Sequence, residues 1–98
     1  MKPETARQIE ISDPFIFVND SGWEGTEGED HLRYAVALKK HILVLRTPEN
    51  SENPLPYLLN DYKDYDIVDG GDEELKDALI AYWNAAAVSE VRIHEASW

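Results

Sequence analysis

The segments FIFVN (15–19) and HILVLR (41–46) constrain this chain more than any other feature of it. In both, apolar side chains fill the two alternating sets of positions, the pattern of a strand buried on both faces. Such strands belong in a parallel sheet covered by helices. Between them run a glycine-and-acid loop, DSGWEGTEGED, and then a helical pattern. Strand, about a dozen helical residues, strand is the βαβ unit, whose crossover is right-handed in nearly all cases. The expected architecture is therefore α/β, a three-layer sandwich with helices on both faces of three or four mainly parallel strands.

The rest of the chain is read around that unit. Residues 1–13 form a lead-in in which TARQIEI is either a short helix or irregular. Pro14 ends it, because the residue before a proline is pushed out of the helical region. Thr26 with Glu29 fits a capping box and sets a helix start. Leu32, Ala35, Val36, Ala37 and Leu38 give that helix an apolar face, with Lys39 and Lys40 expected in its last turn. TPENSENPLP (47–56) is a loop, PYLLNDY can hold one helical turn, and YDIVDG (65–70) is a third strand. A helix then starts at or near Asp72, with Leu75, Ala78, Leu79, Tyr82, Trp83 and Ala86 at core-facing spacing. Val91 and Ile93 alternate with Arg92 and His94, so residues 88–98 are expected as an edge strand or a tail. Trp98 would dock on the body or on a second subunit.

A chain of 98 residues suits one small α/β domain with a thin stability margin. A sheet this short leaves an open edge, which invites pairing, so a homodimer or larger homo-oligomer is expected through the edge or the C-terminal segment. The net charge of −11, from 20 acids and 9 bases, opposes direct nucleic-acid binding and attachment to anionic lipid. It fits a soluble acidic surface or, as an alternative, an acidic inhibitor presented to a basic partner. No apolar signal core or membrane-length run is present, so a cytoplasmic location without membrane contact is expected. With no cysteine, and with His31, His41 and His94 scattered, neither a metal site nor a cofactor is implied.

The stretch ISDPFIFVNDSGWEGTEGEDHLRYAVALKKHILVLR resembles the second half of the flavodoxin-like domains of nucleoside 2-deoxyribosyltransferases and Toll/interleukin-1 receptor (TIR) domains. The matching pieces are SDPFIFV, Gly25-Thr26, YAVALKK and ILVLR, followed in family order by LPYLL and YDIVDGGDEELKDAL, over roughly residues 8 to 83. The resemblance implies a flavodoxin-like fold and a nucleoside, nucleotide or NAD-like ligand. In the families a helix carboxylate acts at the anomeric carbon, as nucleophile in the transferases and as the acid handling ribose in catalytic TIR domains. The implied reaction is N-glycosidic bond hydrolysis or deoxyribosyl transfer, in which a carboxylate stabilises or captures an oxocarbenium-like centre. The chain departs from the pattern at His31, which stands four residues before Ala35 where the families carry the acid. The families' first strand and its loop also lie upstream of the matching region, so the chain reads as a fold trimmed at its N-terminus.

The candidate catalytic residues are accordingly Glu29, Asp30 and His31, the first two supplying a carboxylate and the histidine assisting. Candidate ligand contacts are Asp20, just past the strand and suited to a ribose hydroxyl, with Gly22, Trp23 and Thr26. Each has a plainer reading: Glu29 as capping residue, His31 as a solvated first-turn side chain, Asp20 as a turn residue, Trp23 folded onto its own core. The glycine spacing matches no phosphate-binding fingerprint, and acids in the same loop would repel an anion. The reading from another class is a non-enzymatic, self-associating interaction module that kept the fold and lost the site.

Overall fold

Ile42, Leu43, Val44 and Leu45 are all buried, and the chain is arranged to bury them. The computed structural model describes residues 1–96. Its elements are α1 (Pro3–Ile11), β1 (Phe15–Val18), α2 (Glu27–Ala37), β2 (Ile42–Arg46), β3 (Tyr65–Asp69) and α3 (Asp72–Ala96). Two 3₁₀ turns, Pro48–Asn50 and Tyr57–Leu59, lie between β2 and β3. The strands form one sheet in the order β1-β2-β3, all parallel, with Phe15 opposite Ile42 and Val18 opposite Leu45, then Ile42 opposite Tyr65 and Arg46 opposite Asp69. The two apolar runs are thus adjacent and run the same way, joined by α2.

Alternation along the strands divides the core in two. On one face Phe17, Ile42 and Val44 pack with Ile9 of α1, Leu32 and Ala35 of α2, and Leu59 of the second 3₁₀ turn. On the other, Leu43, Leu45 and Val68 pack with Leu75, Ala78 and Leu79 of α3. Helices therefore cover both faces, a three-layer α/β sandwich compatible with a small flavodoxin-like fold. Both outer strands have an open edge. Phe15 N–H donates to His41 O and Asn19 N–H to Leu45 O, each at 2.9 Å. In a parallel ladder the intervening Ile16 and Val18 therefore turn their backbone groups away from β2.

Several elements differ from the sequence expectation. The lead-in is helical, and Pro3 at its start costs nothing because the first N–H groups of a helix have no partner. Residues 88–96, expected as an edge strand or tail, continue α3 to Ala96. No Gly or Pro follows Gly71 to stop that helix, and the alternation of Val91 and Ile93 is too short to outweigh good helix formers around it. Ser97 and Trp98, and so the expected docking of Trp98, lie outside the described residues. Trp83, expected in the core, is 51% exposed and instead donates its indole N–H to Asp13 O at 2.8 Å. Lys39 and Lys40 fall beyond α2 rather than in its last turn. Lys40 N–H bonds Ala35 O and Lys39 N–H bonds Val36 O, each at 3.0 Å, a Schellman cap with Lys39 in the left-handed position at φ 58°. The Lys40 ammonium then donates to Glu10 O, near the C-terminus of α1, where a cation complements the helix dipole.

A cluster at the amino ends of the strands pins α3. Tyr82 donates its hydroxyl to Asp13 Oδ1 at 2.5 Å and stacks on His41, with ring centroids 4.8 Å apart. His41 Nδ1 lies 2.6 Å from Asp64 Oδ1. Its Nε2 lies 3.1 Å from Asp66 Oδ2 but outside hydrogen-bond alignment.

Two outcomes follow. Lys39→Gly should raise unfolding free energy by about 0.5–1 kcal/mol in a urea titration, because glycine adopts the left-handed conformation without the Cβ clash. The Asp13 carboxylate, with burial, pushes the Tyr82 hydroxyl up to about 12. A raised folded pKa stabilises fully below the unfolded value of ~10 and loses that contribution as pH climbs to the folded one. The stability difference between the native chain and Tyr82→Phe should therefore hold steady just below that range and shrink as pH rises across it.

Candidate functional site

Parallel strands bring their carboxyl ends to one edge of the sheet, and ligands of open α/β sheets sit there. At that edge β1 ends in Asn19. Its N–H extends the ladder to Leu45, and its side chain, 1% exposed, turns into the protein. The Asn19 Nδ2 donates to Pro54 O at 3.2 Å, and Asn53 Nδ2 donates to Asn19 O at 3.3 Å. The loop after β2 is thereby tied down on the end of β1. Pairing of Nδ2 with a carbonyl also fixes which way the amide points, and Asn19 Oδ1 is left buried without any partner. An unpaired buried acceptor costs about 1–3 kcal/mol.

Asn19 also borders a cavity of about 480 Å³, together with Asp20, Trp23, Glu24, Asn53 and Tyr57, among others. Trp23 is held by its neighbours. It meets Phe17 edge-on at 5.5 Å and stacks on Tyr57 at 5.7 Å with planes 23° apart. Gly22 and Gly25, at φ 85° and 77°, let the loop turn back to deliver it. Among the described residues, the charged groups lining the cavity are the carboxylates of Asp20 and Glu24. No lysine, arginine or histidine among the described residues lines it.

Thr26 is the N-cap of α2, accepting from Gly28 N–H at 3.2 Å and donating to Trp23 O at 2.5 Å. Glu29 does not complete the capping box. Thr26 N–H bonds Trp23 O, while the Glu29 carboxylate accepts the Tyr57 hydroxyl at 2.5 Å, and Arg33 donates to the Tyr57 oxygen at 3.0 Å. Arg33 also lies 4.0 Å from Glu29. The Tyr57 hydrogen bond, helped by Gly25 N–H and the Arg33 charge, holds the Glu29 carboxyl below its usual range, and the same bond raises the Tyr57 phenol.

The residues named from sequence are thus dispersed. Asp20, Gly22 and Trp23 line the cavity, and Glu29 touches its wall through Tyr57. Thr26 and His31 line an adjoining groove along β1 that shares Asp20, Gly22 and Trp23 with the cavity, and Asp30 faces the start of α1 beside Met1 and Lys2. Asn19, Asn53 and Tyr57 were not singled out from sequence. The available signal was an Asn ending an all-apolar strand, since a polar side chain there must be either exposed or paired. Among the described residues, no group of three His, Cys, Asp or Glu could hold a metal, and no helix is long and apolar enough to cross a membrane. Comparison with protein-family models, curated proteins and solved structures found no match to this chain.

Removing the phenol should move Glu29. In Tyr57→Phe the Glu29 carboxyl should titrate at higher pH, followed by its carboxyl carbon resonance. Because the folded pKa is depressed, the bond's stabilisation is present above the usual glutamate range and disappears as pH falls through the lowered value. An unchanged titration would contradict the hydrogen bond.

Proposed function

We propose that the chain binds an unphosphorylated nucleoside, or a closely similar sugar–base ligand, in the cavity at the carboxyl end of β1. The observation that carries the reading is the cavity itself, where the stacked Trp23 and Tyr57 meet the Asp20 and Glu24 carboxylates. Three features support it. The Trp23–Tyr57 pair offers an aromatic wall for a base. Asp20 stands beside Asn19 with a carboxylate suited to sugar hydroxyls. The acidic lining, with no cation, disfavours a phosphate and so selects a nucleoside over a nucleotide or NAD. The resemblance to nucleoside-handling folds points the same way.

Binding without turnover is the reading the geometry favours. A carboxylate at an anomeric carbon must reach it. Of the candidates on α2, Glu29 is engaged by Tyr57 and Arg33 while Asp30 and His31 lie outside the cavity. The Asp20 and Glu24 carboxylates that do line it stand on the loop after β1, suited to sugar hydroxyls. Isothermal titration and amide NMR with deoxyadenosine and thymidine, against their 5′-monophosphates, test the proposal. Nucleosides should shift the Asn19–Glu24 amides and bind about tenfold or more tighter than the monophosphates at low salt, as expected where a phosphate meets like charge. Asp20→Ala should weaken them, and chromatography should find no free base. Absence of nucleoside binding, or tighter binding of the monophosphates, would contradict the reading.

A further inference from the structure

Among the described residues, the outer edge of β1, beside the cavity, carries a second set of unused groups, those of its backbone. Ile16 and Val18 face away from β2, and Asp20 N–H occupies Val18 O at 3.0 Å. Ile16 N–H, Ile16 C=O and Val18 N–H therefore point outward. Their side chains are 38% and 45% exposed, although they share a sheet face with Leu43 and Leu45, which α3 covers. Natural edges are blunted by charge or proline. Residues 15–18 carry neither, whereas β3 at the opposite edge carries Asp66 and Asp69. A groove of about 380 Å³ runs along Phe15–Val18, walled by Trp23, Thr26 and His31.

We propose that this edge takes an extended, cationic segment of a partner protein as an added strand. Strand addition supplies the three missing backbone partners, and apolar side chains on the added strand would cover Ile16 and Val18. Charge selects the occupant. Asp13 and Asp20 flank the edge, no lysine or arginine among the described residues lines the groove, and the chain as a whole carries −11. A second copy fits less well. Antiparallel self-pairing centred on Phe17 sets Asp20 of one copy opposite Pro14 of the other, next to its Asp13, and like charges across strands destabilise. It also calls on Val18 O, which Asp20 already uses.

The test uses the full chain and two synthetic peptides with the same Val-Thr-Val-Thr core, one flanked by Lys-Lys and the other by Glu-Glu at both ends. The Lys-flanked peptide should slow exchange of the Ile16 and Val18 amides and bind about tenfold or more tighter than the Glu-flanked one, a gap that narrows with salt. Ile16→Lys, which alters an exposed side chain and leaves the core intact, should weaken the Lys-flanked peptide by about tenfold. Val18→Pro, with its N–H removed, should weaken both. The proposal is overturned by equal binding of the two peptides, by no protection at Ile16 and Val18, or by protection placed on β3. Concentration-dependent protection of those amides in the peptide-free protein would overturn it in favour of a second copy.

Discussion

The burial of β2 on both faces is the constraint from which the rest of the molecule follows. Each of its four apolar side chains, Ile42 to Leu45, gains about 1.5–3 kcal/mol by leaving water. That gain requires a strand on each side and a layer over each face. β1 and β3 supply the neighbours. α1, α2 and the Tyr57–Leu59 turn supply one layer and α3 the other. With so few residues, each element is used once, and the two ends of the sheet acquire different jobs. The amino ends anchor α3 through Asp13, Tyr82 and His41, while the carboxyl ends gather the two loops that form the cavity.

Chemistry concentrates where those loops meet. The hydrogen bonds between Asn19 and the Asn53–Pro54 segment bring a buried amide to the floor of a cavity whose wall is Trp23 on Tyr57. The same Tyr57 hydroxyl draws Glu29 aside and holds it ionised. The carboxylate that the sequence singles out is thereby engaged in the wall, and the carboxylates that line the cavity are those of Asp20 and Glu24. Trp23 also borders the groove beside β1, so an occupant of either place would register on its indole.

How much could be read from the sequence depended on how local each interaction is. The β1–α2–β2 unit was legible because all-apolar runs of strand length leave few ways to be buried. The start of α2 was legible because Thr26 bonds Gly28 two residues away. Glu29 was misjudged as the capping-box partner because its actual partner, Tyr57, is 28 residues distant. Trp83 has the right helical spacing for the core, but α3 leaves it at the open side of the sheet, where only Asp13 receives it. Asn19 was invisible as a buried group because its burial comes from the loop that returns after β2. Lys39 shows the reverse case, a helix end set by backbone bonding with a residue whose type gives no warning of it.

Hydrogen exchange along β2 tests the account most directly. As the central parallel strand it has both edges paired, Ile42 N–H bonding Asp64 O on the β3 side while Asn19 N–H bonds Leu45 O on the β1 side. The consecutive amides of Ile42 to Arg46 should be the slowest to exchange in the molecule, opening only with global unfolding. Protection of every second β2 amide alone would make β2 an edge strand and contradict the arrangement from which both sites derive.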